Sequence, residues 1–198
     1  MVLIIRDEMD LFLNALIFTL TLILTVGFFR KDGSFRFSNG AAAFRYFTVL
    51  SNVLCAAAAL LMCLSPSSSW AWMLKYIGTA AVTVTMLTVF LFLGPNLGYK
   101  ELLTGTDLYM HLITPLLAIL SFSCYEKRGM TVGTTMLGVL PVLFYSILYL
   151  YKVLYAYGTR RWEDFYGFNK GGKWPISLAL MLTGSLAVCI GFMFLQNG

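Results

Sequence analysis

Six long apolar stretches, separated by short polar segments, account for most of this chain. They cover residues 11–29, 43–64, 72–93, 108–125, 131–155 and 175–195. Each is close to the length of about 20 apolar residues that a helix needs to cross a bilayer. In lipid, a helix also satisfies its own backbone polar groups. The sequence therefore predicts an all-α polytopic membrane protein, a six-helix transmembrane bundle that forms a single domain over residues 1–198.

Charged residues are scarce, at 12% of the chain, whereas hydrophobic residues make up 59%. A soluble domain carries about 25% charged residues. The shortage excludes a soluble enzyme, a nucleic-acid-binding domain and a disordered chain, and it makes the bilayer the predicted partner. The four cysteines include no Cys-x-x-Cys pair and the chain has one histidine, so the sequence predicts no metal site.

Basic residues are unevenly divided between the two ends of the predicted bundle. An even number of spans places both termini at one end and the first, third and fifth loops at the other. The loop end carries eight basic residues: Arg30, Lys31, Arg36, Lys100, Arg160, Arg161, Lys170 and Lys173. The terminal end carries three: Arg6, Lys127 and Arg128. The positive-inside rule predicts that these loops face the cytoplasm and that both termini lie outside.

A polar stripe marks the start of the second span. Arg45, Thr48 and Asn52 have the i, i+3, i+7 spacing of one helical face, and Ser51 is adjacent. Lipid does not solvate such a face, so we expect it to point into the bundle. Two alternatives stay open: Ser51 alone is typical of helix packing, and Arg45 could extend toward lipid headgroups.

The fourth span begins with the only histidine of the chain. Asp107 lies four residues before His111 and Thr114 lies three after it, so all three share a predicted helical face. Imidazole titrates near neutral pH and is the most common general base. A lone helical histidine is more often a structural hydrogen-bonding group than a catalytic base. The position of His111 relative to a possible nucleophile therefore has to distinguish these two roles.

Thr48 and His111 are predicted to lie at similar depths in the membrane. Thr48 is ~8 Å from the start of the second span and His111 is ~6 Å beyond Asp107, from the helical rise per residue. Both helices begin at the same side of the membrane, so the two side chains can meet. A threonine hydroxyl needs an adjacent base to become a nucleophile. We therefore predict Thr48 as the nucleophile and His111 as its base.

Four nearby residues complete the predicted site. Asp107 could orient the imidazole or cap the start of its helix. Asn52 or Ser51 could donate a hydrogen bond to a developing oxyanion. Arg45 could bind the carboxylate of a fatty acid.

Two further features are more open to interpretation. The loop over residues 156–174 is aromatic, basic and rich in glycine, which is typical of an interfacial belt but also fits a lid over the site. Lys75, near the start of the third span, is expected to extend toward the lipid headgroups.

Three motifs, in this order along the chain, resemble the androgen-induced and androgen-dependent TFPI-regulating protein family. They are Arg45-Tyr46-Phe47-Thr48-Val49-Leu50-Ser51-Asn52, His111 followed by Pro115, and Trp174-Pro175. Members of that family are multi-pass threonine hydrolases that cleave fatty acid esters of hydroxy fatty acids. The resemblance implies nucleophile and base roles for Thr48 and His111, a membrane lipid or fatty acid ester as substrate, and no cofactor.

Three functions follow as hypotheses. The first is an intramembrane lipid ester hydrolase with a threonine nucleophile and a histidine base. The second is a non-enzymatic small transporter or lipid-binding membrane protein, and the third is an acyltransferase on the same scaffold. The polar stripes lie at one end of the predicted bundle only, which favours an enzyme over a transporter.

Overall fold

The computed structural model describes residues 2–198, apart from the side chains of residues 2–7 and of residue 31. The side chains of Arg6 and Lys31, which contribute to the predicted charge asymmetry, therefore lie outside the described residues. The helices of the described part are α1 (Val2–Phe28), α2 (Phe37–Ala43), α3 (Phe47–Leu64), α4 (Ser69–Leu97), α5 (Tyr99–Leu102), α6 (Thr106–Tyr125), α7 (Val132–Tyr155) and α8 (Trp174–Asn197).

Six of these helices, α1, α3, α4, α6, α7 and α8, are long and apolar enough to cross a membrane. The predicted all-α six-helix bundle is confirmed. The observed helices differ from the predicted spans by a few residues at most ends. Helix α7 is interrupted at Gly138–Val139, just before Pro141, because proline lacks the N–H that a continuous helix requires at that position.

A short hairpin follows α1 and departs from the purely helical prediction. Strand β1 (Arg30–Lys31) pairs antiparallel with β2 (Ser34–Phe35). The two residues between them, Asp32 and Gly33, have φ angles of 53° and 74°. A two-residue hairpin turn of type I′ needs positive φ at both central positions, and an Asp-Gly pair adopts it at low cost.

The second predicted span is broken before its polar stripe. Helix α2 ends at Ala43, and α3 begins only at Phe47. Arg45 lies in the break, so the prediction that it shares a helical face with Thr48 and Asn52 is wrong. The stripe on α3 begins at Thr48 instead.

Helix α3 packs mainly against α1 and α4. Its contact with α4 is very close, because a Cβ placed on Gly78 would lie 2.7 Å from the Cα of Cys55. Small residues allow membrane helices to approach this closely, and such approach is the main source of packing energy in lipid. The contact therefore fixes the position of the helix that carries Thr48.

Lys75 does not extend toward the headgroups as predicted. Its side chain is fully buried, and Nζ lies 3.1 Å from Oε1 of Glu126 and 2.5 Å from Oδ1 of Asn14. Ser121 also accepts a hydrogen bond from Nζ at 3.2 Å. A buried ammonium requires such partners, since lipid offers it none. This network joins α1, α4 and α6 at the terminal end of the bundle.

Candidate active site

The structure brings together the two residues that the sequence singles out. Thr48 is the second residue of α3, and its Oγ1 lies 3.3 Å from Nε2 of His111 on α6. His111 is only 7% exposed, whereas Thr48 is partly exposed. The predicted meeting of a hydroxyl and the imidazole at one end of the bundle is therefore observed.

A backbone carbonyl orients the imidazole of His111. Nδ1 lies 2.7 Å from the carbonyl oxygen of Leu102, the last residue of α5. A carbonyl only accepts hydrogen bonds, so Nδ1 carries a proton, and in the neutral imidazole Nε2 presents its lone pair. The Thr48 hydroxyl then donates its hydrogen to Nε2, which is the arrangement that general-base activation requires. Leu102 thus has the role predicted for Asp107, whose side chain is exposed.

A local change of helical pitch accompanies the histidine. Residues Tyr109–Ile113 form a π-helical turn inside α6. Such turns are uncommon and frequently occur at functional sites, because they displace a carbonyl from the regular ladder and rotate the following side chains. Here the carbonyl of Met110 accepts a hydrogen bond from Asn52 Nδ2 at 3.0 Å.

Asn52 and Ser51 form hydrogen bonds with the backbone near Thr48 and His111. Asn52 Nδ2 also donates to the carbonyl oxygen of Thr48 at 2.8 Å. Ser51 Oγ lies 3.1 Å from the same carbonyl oxygen and 2.9 Å from Oγ1 of Thr85. Neither residue lines the cavity described below, so neither presents a donor where a substrate oxyanion would form.

Arg45 is exposed and also lies away from the cavity. Its guanidinium lies 4.8 Å from the ring centroid of Tyr46 and 5.6 Å from that of Phe165. Both distances are in the range of cation–π contacts. Arg45 therefore connects the α2–α3 break to the loop before α8, and the structure does not place it beside Thr48.

A cavity of about 580 Å³ opens beside Thr48. Its walls come from α3, α4, α7, α8 and the loop before α8, and most of the lining side chains are apolar or aromatic, including Phe47, Phe92, Leu180 and Met181. Thr48 is on the wall, whereas His111 lies behind it and does not line the cavity. The arrangement leaves the Thr48 side chain accessible from an apolar cavity and places the imidazole of His111 behind it.

The loop between α7 and α8 forms one wall of this cavity, as the lid interpretation predicts. Asp164 organises the loop: its carboxylate accepts hydrogen bonds from the backbone N–H groups of Phe168 and Asn169, each at 2.8 Å. The Tyr149 hydroxyl of α7 also donates to this carboxylate at 2.8 Å. These bonds hold the loop against α7.

Tyr166 makes a contact between this loop and α3. Its backbone N–H donates to the Tyr149 hydroxyl at 3.1 Å, and its own hydroxyl accepts the backbone N–H of Phe47 at 3.0 Å. Burial raises the pKa of Tyr166, although its hydrogen-bonding neighbours Phe47, Tyr145 and Thr48 act in the opposite direction. The phenol is therefore neutral and lies beside Thr48. Sequence reasoning missed this residue, and the aromatic character of the loop was the only signal for it.

The fold and this site define a multi-pass membrane protein with a threonine–histidine pair beside an apolar cavity. No protein family, curated protein or solved structure matches the chain. Among the residues whose side chains are described, no group of three or more histidine, cysteine or acidic residues could hold a metal ion.

Proposed function

We propose that this protein is an intramembrane ester hydrolase that uses Thr48 as its nucleophile and His111 as its general base. One observation carries the proposal: Thr48 Oγ1 lies 3.3 Å from Nε2 of His111, the ring nitrogen that does not face the Leu102 carbonyl, and Thr48 also lines the cavity. A threonine with a purely structural role does not need an imidazole within hydrogen-bonding distance. A histidine with a purely structural role does not need a partner that lines a cavity.

The reaction proceeds in two halves. Thr48 Oγ1 attacks the ester carbonyl carbon while His111 Nε2 accepts the hydroxyl proton, and the carbonyl electron pair moves to oxygen. Collapse of this intermediate breaks the ester C–O bond, and His111 returns the proton to the departing alcohol. A water molecule then gives a proton to His111 and attacks the acyl carbon. Thr48 Oγ1 leaves and recovers the proton.

The cavity supports an acyl lipid as the substrate. Its lining is mainly hydrocarbon, which suits a fatty chain, and it lies at the end of the bundle where Thr48 is near the membrane surface. The motif resemblance points to fatty acid esters of hydroxy fatty acids within that class. Along α4 and α6, the buried apolar residues Val82 and Ala118 lie between the Lys75 network and the end that carries Thr48 and His111. The polar side chains buried at intermediate positions, such as Thr79 and Thr114, are uncharged hydroxyls, which disfavours a transporter.

A direct test measures the release of free fatty acid from a fatty acid ester of a hydroxy fatty acid by the purified protein in lipid nanodiscs. Thr48→Val keeps the shape of the side chain but lacks the hydroxyl, and it should abolish release. Thr48→Ser retains a hydroxyl and should retain measurable activity. Addition of a lipid alcohol distinguishes hydrolysis from acyl transfer through the product formed. Unchanged release by Thr48→Val would exclude the proposal.

We propose the orientation that the charge asymmetry predicts, with the catalytic end facing the cytoplasm. Tyr157 is 88% exposed in the loop before α8, and Cys124 is exposed at the other end. Cys63 is also partly exposed at that end, so both cysteines have to be replaced. In vesicles with known sidedness, Tyr157→Cys in a Cys63→Ser, Cys124→Ser background should react with an impermeant maleimide only from the cytoplasmic side. Reaction from the outside alone would reverse the orientation.

A further inference from the structure

The sequence predicts that Asn52 or Ser51 stabilises an oxyanion, but in the structure both side chains already form hydrogen bonds with other groups. Both amide hydrogens of Asn52 are directed at backbone carbonyls, those of Thr48 and Met110. The Ser51 hydroxyl lies between the Thr48 carbonyl and Thr85. A hydrolase needs a donor on the cavity side of Thr48, because that is where the carbonyl oxygen of a bound ester becomes negative.

Tyr166 is placed on that side. It lines the cavity together with Thr48, and its hydroxyl oxygen lies 3.0 Å from the backbone nitrogen of Phe47, the residue before the nucleophile. Thr48 is also one of its hydrogen-bonding neighbours. The phenol therefore lies next to both the nucleophile and the first turn of α3.

Two features make this phenol a good donor. The Phe47 N–H donates to the phenol oxygen, and a hydrogen bond accepted by a hydroxyl strengthens the bond that the same hydroxyl donates. The N-terminus of α3 also presents the positive end of the helix dipole to the same region. Because burial raises the pKa of Tyr166, the hydroxyl keeps the proton that it would donate.

We infer that Tyr166 is a catalytic residue whose hydroxyl donates a hydrogen bond to the oxyanion formed when Thr48 attacks an ester carbonyl. The inference rests on the proposed hydrolase function. No covalent bond to Tyr166 forms, and its proton stays on the phenol oxygen throughout the reaction. The loop before α8 thus completes the active site, since its position on α7, held by Asp164, brings Tyr166 to α3.

The inference can be tested by inhibition of the purified protein in nanodiscs with a long-chain alkyl trifluoromethyl ketone. Thr48 would add to this ketone and form a hemiketal oxyanion, whereas the corresponding secondary alcohol fills the same space without forming one. Loss of one oxyanion donor typically costs about 10²–10³ in transition-state stabilisation. We expect Tyr166→Phe to raise the inhibition constant of the ketone by about 100-fold and to leave binding of the alcohol unchanged. Tyr157→Phe, an exposed tyrosine of the same loop, is the matched control and should bind both compounds normally.

The outcomes separate this inference from the proposed function. If Thr48→Val loses ketone affinity while Tyr166→Phe retains it, the hydrolase stands and the role of Tyr166 is wrong. If Tyr166→Phe weakens the ketone and the alcohol equally, Tyr166 only shapes the cavity and the inference is also overturned. If Thr48→Val binds the ketone as wild type does, both proposals fail.

A second variant covers the case in which Tyr166→Phe does not fold. Fluorotyrosine at position 166 keeps the ring, the hydroxyl and both hydrogen bonds, but its phenol is a stronger donor. It should tighten ketone binding several-fold and leave alcohol binding unchanged. Equal ketone binding by fluorotyrosine and tyrosine at this position would overturn the inference.

Discussion

The carbonyl oxygen of Leu102 lies 2.7 Å from Nδ1 of His111, while Nε2 of the same ring faces Thr48. This contact selects one neutral tautomer, with the proton on Nδ1. Because His111 is the only histidine in the chain, uniform ¹⁵N-histidine labelling gives ring signals that need no assignment. We expect NMR at neutral pH to show a protonated Nδ1 and an unprotonated Nε2, in wild type and in Thr48→Val. A proton on Nε2 would rule out the proposed base.

The hydrogen bonds of Asn52 couple α3 to the π-helical turn of α6. Asn52→Leu leaves the Met110 carbonyl buried without a partner, and such groups cost about 1–3 kcal/mol each. We expect a lower thermal midpoint together with a loss of esterase activity, because the spacing between Thr48 and His111 is no longer fixed. Asn96→Leu is the stability control, since Asn96 also donates to a carbonyl four residues earlier but is exposed. Equal stability losses in the two variants would contradict this role.

The buried pair of Lys75 and Glu126 is expected to be strongly coupled. Removal of one partner leaves an uncompensated charge and costs about 3–5 kcal/mol, whereas replacement of both by apolar residues is often close to neutral. Lys75→Met and Glu126→Leu should therefore each lower the free energy of unfolding in detergent more than the double variant does. Additive effects of the two single substitutions would show that the charges do not interact.

Close packing at Gly78 predicts a different kind of stability effect. A Cβ at this position would meet the backbone of Cys55 at 2.7 Å, so α3 and α4 would have to separate. Overpacking of this kind costs about 1–3 kcal/mol, and Gly78→Ala should lower the thermal midpoint accordingly. At Gly184 on α8 a Cβ would meet nothing within 4 Å, so Gly184→Ala should leave the midpoint unchanged or raise it slightly. The same change in both variants would argue against the tight helix contact.

The spans were predictable from the sequence because apolar length alone determines which segments a bilayer accepts. The proximity of Thr48 and His111 was also predictable, since alternating topology determines which helix ends are adjacent. The break before Phe47 was not, because the segment 44–46 contains no glycine or proline and its one charged residue, Arg45, also fits a helical face with Thr48 and Asn52. The Asp32-Gly33 pair is typical of a hairpin turn and could have predicted the hairpin after α1, but a prediction based on apolar spans alone does not use it.

Residues whose roles depend on distant partners were the hardest to predict. No pattern in the sequence indicates that Lys75 on α4 pairs with Glu126, which lies in the connection between α6 and α7. Similarly, the ring of His111 is oriented by a backbone carbonyl, which carries no side-chain signature. Tyr166 reaches Phe47 only because Asp164 and Tyr149 fold its loop onto α7. Tertiary packing decides such contacts, and one-dimensional patterns do not encode them directly.

A long-chain fluorophosphonate tests whether the Thr48 hydroxyl is a nucleophile activated by His111. The purified protein is treated with this reagent and the adduct is located by peptide mass spectrometry. We expect one modified residue, Thr48, with labelling lost in Thr48→Val and strongly slowed in His111→Gln. An adduct on another residue, or equal labelling of wild type and Thr48→Val, would contradict it.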